Sequence, residues 1–371
     1  MIIDDLCISG ETQMINVTKS FLPPTEEYMQ YVSAILERGW LTNQGPCVLD
    51  LEAQLKQYLG LPYLSFVSNG TVALQLALRA LDILEGEIIT TPFSYVATVS
   101  SILWERCKPV FVDIELNTFC IDAGKIEAAI TPNTRAIMGV HVYGYPCDIE
   151  AIDALAQEHN LPVIYDGAQA FASNYLGKSL LSYGTITTCS FHATKLFHTI
   201  EGGAVITNNQ SDYDKVSLML RFGHNSDDHI RLGINAKNSE LHAAMGLCNL
   251  KYVPDIIVKR KAVSEAYDLH LAGAVCRPVP PARLDYNYAY YPILLEDEAA
   301  LLSVKEALNK KQIFPRRYFY PSLNRLPYLQ EKQACLLSEN VASRVLSLPL
   351  YADLSMENIE LISSIVKEVV S

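Results

Sequence analysis

Two residues in this chain have the types and settings for chemistry at a carbon–nitrogen bond, Lys195 and Asp166. Lys195 ends the run Ser190-Phe191-His192-Ala193-Thr194-Lys195 and precedes Glu201-Gly202-Gly203. The pattern reads as a strand from Ile186 to Phe191, a turn carrying one lysine, a glycine pair, and a second strand from Ala204 to Thr207. A lysine in a tight apolar connection is poorly solvated. Burial disfavours its charged form, so the expectation is a lowered pKa and a nucleophilic amine. Such an amine can form a Schiff base with an aldehyde cofactor, pyridoxal phosphate. A surface lysine in a turn would show the same spacing. Asp166 follows the apolar strand from Pro162 to Tyr165, where a carboxylate is costly without a partner. Beside a pyridine nitrogen it would keep that nitrogen protonated, and the ring would withdraw electrons from a substrate carbon. The plain alternative is an N-cap for the segment starting at Ala168.

The elements that must position these residues alternate. Short apolar strands are expected at Tyr63–Val67, Ile88–Thr91, Pro109–Val112, Ala136–His141 and Pro162–Tyr165. Between them fall amphipathic helices at Thr71–Leu84, Tyr95–Trp104, Ala123–Ala129 and Ile149–His159. The fold class is therefore α/β, with a mostly parallel central sheet and helices on both faces. Ligands in such folds bind beyond the C-terminal strand ends. Three other segments sit there. Ser68-Asn69-Gly70-Thr71 opens a helix and offers free N–H groups to an anion, though an ordinary N-cap has the same composition. In Thr91-Pro92-Phe93-Ser94-Tyr95 an aromatic could lie on a planar ring or simply fill the core. In His141-Val142-Tyr143-Gly144 the histidine is given a supporting role.

A helix from Pro24 to Arg38 and another from Cys47 to Leu59 flank the loop Gly39 to Pro46, which contains Thr42 and is rich in turn residues. After Thr207 the chain is helical to Arg221. The polar stretch Phe222 to Asn235 then reads as a connector or a subunit-contact loop. Helices follow at Ser239–Tyr252 and from Pro254 to about Leu271. A strand-like run from Tyr288 to Leu295, a helix at Ala299–Lys310, the basic-aromatic run Pro315 to Pro321 and a helix at Met356–Val370 complete a smaller α/β domain. The division expected is residues 1–252, an N-terminal segment and large domain, and residues 253–371, a linking helix and small domain. Met14 is a possible true start.

The chain has 371 residues, half of them hydrophobic, 19% charged, and a net charge of −12. Large acidic surfaces bind nucleic acid poorly, so no nucleic-acid partner is expected. No run approaches the roughly 18 apolar residues of a membrane span, and the N-terminus lacks a signal-peptide pattern. Nine cysteines without C-x-x-C or zinc spacing read as reduced thiols in a cytoplasmic protein, with no metal site. No G-x-G-x-x-G follows a strand, which argues against a nicotinamide enzyme.

Together these motifs resemble the sugar aminotransferases of the DegT/DnrJ family, from Trp40 to Leu350. The matching segments are Gly45-Pro46, Asn69-Gly70-Thr71, Phe93-Ser94-Tyr95, His141-Val142-Tyr143-Gly144, Asp166 to Gln169, Ser190 to Lys195, Glu201-Gly202-Gly203 and Gly233-Ile234-Asn235. The resemblance implies fold-type I and a pyridoxal 5'-phosphate cofactor that passes through the pyridoxamine form. Lys195 would hold the cofactor and move the proton, with Asp166 on the pyridine nitrogen. Gln169 would contact the 3-hydroxyl region, Tyr95 would stack on the ring, and Gly70, Thr71 and Ser190 would bind the phosphate. Asn235 would reach the neighbouring subunit's phosphate, which implies an obligate homodimer with shared sites.

The substrates implied are L-glutamate and a nucleotide-linked keto sugar. Thr42, Tyr143, His192, Lys237 and Arg316 are candidate substrate contacts, and Arg231 and Arg317 are further candidate cations. Asn69 stands where relatives usually have serine, and Lys237 where many have arginine. The Ser-Phe-His-Ala-Thr-Lys variant is similar to members that aminate C4 of a 4-keto-6-deoxyhexose for surface polysaccharide such as O-antigen. The alternatives are a C3 aminotransferase, a same-fold dehydratase, in which a histidine usually replaces the lysine, and a non-catalytic regulator.

Overall fold

A computed structural model describes residues 14–370. Seven strands form the main sheet: β1 (Tyr63–Val67), β2 (Gly86–Thr90), β3 (Cys107–Phe111), β4 (Thr134–Val140), β5 (Val163–Asp166), β6 (Ile186–Ser190) and β7 (Gly203–Thr207). Their order is β1-β7-β6-β5-β4-β2-β3. Six strands run one way and β7 alone runs against both its neighbours. β5 and β7 are buried at every position, because helices cover both faces. This explains why the strands read as continuous apolar runs.

Eleven helices accompany the strands among the described residues: α1 (Thr25–Arg38), α2 (Pro46–Leu59), α3 (Gly70–Ala80), α4 (Ala97–Trp104), α5 (Ile149–Glu158), α6 (Gln210–Met219), α7 (Glu240–Leu250), α8 (Val253–His270), α9 (Glu298–Lys310), α10 (Leu336–Arg344) and α11 (Met356–Val370). The side chains of Asn69, Asp148, Asn209, Ser239 and Asp297 each accept a backbone N–H as N-caps. The segment Ala123–Ala129, expected as one helix, is instead two 3₁₀ turns. Seven residues with Gly124 inside are too short to sustain α-helical bonding.

A second apolar cluster lies in the C-terminal region. There Tyr291 and Ile293 pack with Leu346 and Leu348, under Leu301 and Val304 of α9 and Ile359 and Ile362 of α11. Tyr291–Leu294 (β8) pairs antiparallel with Val345–Leu348 (β9). Ile15–Asn16 pairs in parallel with Ile313–Phe314, so the first described residues join this region. Among the described residues no helix is long and apolar enough to cross a membrane.

The sheet register brings the chemistry-bearing ends together. Gly203 pairs with Val67 on one side and Ser190 on the other. Asp166, the last residue of β5, pairs with Thr188 of β6.

Candidate active site

The anion-binding turn is built from glycines at close approaches. A β-carbon on Gly70 would lie 3.0 Å from Cβ of Ser190, and one on Gly203 would lie 2.6 Å from the Asn69 carbonyl carbon. Only glycine lets β7 and the start of α3 close on Ser190. Asn69 Oδ1 takes the Val72 N–H at 2.9 Å, which fixes the first turn of α3. Its N-terminal amides and dipole then face Ser190, a setting that suits a phosphate dianion. The Ala236 carbonyl accepts from Ser68 N at 2.8 Å, which docks the strand-like run after Asn235 on the same turn. Asn235 itself is exposed, bridged to Arg221.

Asp166 is buried, and burial pushes its carboxyl above the usual range. Three groups work against that shift, in order the Thr98 hydroxyl, the Ala168 amide and the charge of Lys195. Thr98 Oγ1 donates to Oδ2 at 2.8 Å, and the Ala168 amide donates to Oδ1 at 3.1 Å. Thr98 also bonds the Ser94 hydroxyl at 2.8 Å, so α4 and the turn before it orient the carboxylate. A buried carboxylate of this kind calls for a cationic partner, and a protonated pyridine fits.

Gln169 is buried, and its side-chain oxygen accepts the Tyr143 N–H at 2.7 Å. This leaves the amide NH₂ as the group able to serve a ligand oxygen. Tyr143 holds a left-handed φ of 57°. It is fully buried and its hydroxyl donates to the Tyr318 carbonyl. It therefore supports the site from behind, and the expected substrate contact is corrected accordingly. His141 is likewise a core residue. Its ring stacks on Tyr165 at 4.4 Å, Nδ1 accepts the Cys147 amide, and burial pushes its pKa down to about 3.

Lys195 Nζ donates to Tyr290 Oη at 3.2 Å. Burial pulls its pKa down, but the Tyr290 hydroxyl, which accepts its N–H, and then Asp166 and Tyr318 outweigh burial. The pKa therefore stands above the ordinary lysine value, and the residues alone hold an ammonium. The lowered pKa expected from the sequence is overturned because a hydroxyl and a carboxylate share the pocket. Neighbouring Cys189 is pushed up to about 12 by burial and stays a thiol.

The remaining candidates scatter. Tyr95 is 61% exposed and shares a cleft with Arg316, Tyr318 and Tyr320. Arg316 is exposed there, whereas Arg317 pairs with Glu298 at 2.7 Å and lies over Tyr320. Arg231 is spent on Asp82. Lys237 sits 4.9 Å from the Phe222 ring centre, its pKa lowered by burial and by Arg221. His192 faces Thr194 at 2.8 Å and Glu201 at 3.4 Å. His198 is pinned in the core by the Phe21 carbonyl and by Asn249. Thr42 is exposed, its carbonyl taken by the Trp40 indole, and among the described residues no hydrogen bond links it to those around Lys195. Sequence reasoning missed Tyr290, Thr98 and Asn287. Asn287 Nδ2 donates to the carbonyls of Gln169 and Phe171 at 2.9 and 2.8 Å.

The model of the DegT/DnrJ/EryC1/StrS aminotransferase family matches residues 24–367. This chain belongs to that family. It is a pyridoxal-phosphate-dependent aminotransferase of fold-type I. It is 40% identical over 363 residues to dTDP-4-amino-4,6-dideoxy-D-glucose transaminase of Shigella dysenteriae, a match spanning 96% of this chain and 99% of that one. A transaminase of the same description from Escherichia coli is 39% identical, spanning 92% of this chain and 95% of the other. The crystal structure of DesI in the presence of its TDP-sugar product has a TM-score of 0.91 at 30% identity, covering 96% and 93% of the two chains.

Proposed function

We propose that the protein transfers an amino group from L-glutamate to C4 of a dTDP-4-keto-6-deoxyhexose, giving a 4-amino-4,6-dideoxyhexose for surface polysaccharide. The observation that carries this reading is the full-length likeness to a dTDP-4-amino-4,6-dideoxy-D-glucose transaminase together with the Ser190 to Lys195 run. Lys195 in its place argues against the dehydratase alternative, since neither His192 nor His198 replaces it.

Pyridoxal phosphate, when bound, supplies an electron-withdrawing ring that makes a substrate C–H acidic. Lys195 would carry it covalently, and Asp166 would hold the ring nitrogen. The NH₂ of Gln169 would serve the 3-hydroxyl, and Gly70, Thr71 and Ser190 would hold the phosphate. The Thr98 hydroxyl favours the ionised form of Asp166 and aims it. Lys195 then acts at its Nζ, taking a proton from one substrate carbon and delivering it to another site within reach. Tyr95 would lie against the cofactor ring, and Arg316, exposed in the same cleft, would meet the incoming substrate, with His192 and Lys237 as further contacts. The reading includes a cytoplasmic homodimer, in which Asn235 of the partner subunit completes the phosphate site.

The test is a panel of keto-sugar nucleotides incubated with glutamate, the product's amino position being read by NMR. Amination at C4 of the dTDP-linked substrate is the expected result. A product aminated at C3 would replace this assignment.

A further inference from the structure

Tyr290 lies 95 positions from Lys195 in sequence, yet its hydroxyl touches the amine at 3.2 Å. The ring does not swing freely. It packs on Tyr143 at 5.5 Å and meets Tyr318 edge-on at 5.8 Å. The backbone beneath it is fastened on several sides. Buried Arg260 donates to the carbonyls of Tyr288 and Ala289 at 2.8 and 2.6 Å. Asn287 ties the same segment to Gln169 and Phe171, and its Oδ1 accepts the Ala289 N–H at 3.0 Å. The Tyr286 hydroxyl donates to the Tyr290 carbonyl at 3.3 Å. A side chain held this firmly against a reacting atom is placed for use.

A hydroxyl both accepts and donates. We propose that Tyr290 is a catalytic residue that holds the free ε-amino group of Lys195 between proton transfers. It accepts an N–H from the ammonium. After Lys195 has given a proton to the substrate, Tyr290 donates its own O–H to the neutral amine. The proton Lys195 gives up is matched by the one it takes from a substrate carbon, and Tyr290 keeps its own. The groups facing Lys195 are Tyr290 and Tyr318 from the C-terminal segment, Asp166 at the end of β5 and Cys189 on β6. The inference rests on Lys195 being the cofactor-bearing lysine.

The experiment compares wild type with Tyr290→Phe, which keeps the ring and its packing. Borohydride reduction of the pyridoxal-phosphate-loaded enzyme, followed by peptide mass analysis, locates the attached lysine. Attachment anywhere but Lys195 overturns both this inference and the site reading. Enzyme loaded with pyridoxamine phosphate leaves Lys195 free. Its acylation by acetic anhydride as a function of pH, read on the Lys195 peptide, then gives the midpoint of its titration. Loss of the hydroxyl acceptor should lower that midpoint by about one unit. Single-turnover conversion of the pyridoxal form by glutamate should slow about tenfold at unchanged half-saturation. If reduction marks Lys195 in both proteins and the midpoint does not move, the proposal fails whatever the rate does.

Discussion

Gly70 and Ser190 touch across the head of the sheet, where a β-carbon on the glycine would come within 3.0 Å of the serine's Cβ. The serine cannot retreat, because its backbone is paired to Gly203 in β7. An added methyl therefore displaces the turn that would hold the phosphate. Gly70→Ala should weaken pyridoxal phosphate binding about tenfold, given that overpacking typically costs about 1–3 kcal/mol. Fluorescence titration of the cofactor-free protein measures it, and an unchanged Kd would remove this turn from the site.

Thr98→Val is nearly isosteric and removes the O–H that donates to Asp166. That bond favours the carboxylate, so its loss raises a pKa that burial already raises. The ionised form is then reached only at higher pH. The acid limb of the kcat profile should move up by about one unit, with about a tenfold fall in rate below it. A profile superimposed on wild type would show that Thr98 does not tune the carboxylate.

Much of the scaffold is legible in the sequence. β1 and α11 fall at the expected residues because each has a strong, single-period apolar pattern. α10 and β9 escaped notice because Leu336–Arg344 is short and polar on most faces, and Val345–Leu348 holds only four residues. Asp166 and Ser190 drew notice as candidates because each ends an apolar strand, where an α/β sheet binds its ligands. Tyr290 and Asn287 did not, because their contacts join segments more than 90 residues apart and no local period encodes such a meeting. The misjudged charge state of Lys195 has the same origin. Burial can be guessed from neighbours in sequence, but the hydroxyl that offsets it cannot.

Glu52 gives a stability prediction. It is buried in α2, accepts the Phe66 N–H at 2.7 Å, and its pKa is pushed by burial up to about 7. A carboxyl raised in the fold contributes fully below the unfolded value near 4.5, and that contribution is lost as pH climbs through 7. Glu52→Gln keeps an acceptor for Phe66 without the titration. Its stability relative to wild type should improve between pH 4.5 and pH 8 by up to ~3 kcal/mol. Denaturant melts at both pH values test this, and a pH-independent difference would contradict it.

Glu240 is fully buried at the start of α7, and its two oxygens accept the Cys47 and Val48 amides at 2.9 Å each. Arg38 pairs with it at 3.3 Å, and the Glu240 amide donates to Leu41. Glu240→Ala strips the N-terminal cap of α2 and leaves buried amides unpaired. The loss should be about 2–4 kcal/mol, seen as a lowered Tm, with the family's cofactor absorbance retained in the protein that remains folded.

The fastening of Asn287 to the turn beyond Asp166, and of Tyr290 to Lys195, bears on how relatives can be recombined. A chimera joined at the start of α8 would take both contacts from the other parent, so the surroundings of the amine would change with the C-terminal region. A splice placed after Tyr318 would keep Asn287, Tyr290 and Tyr318 together beside Lys195.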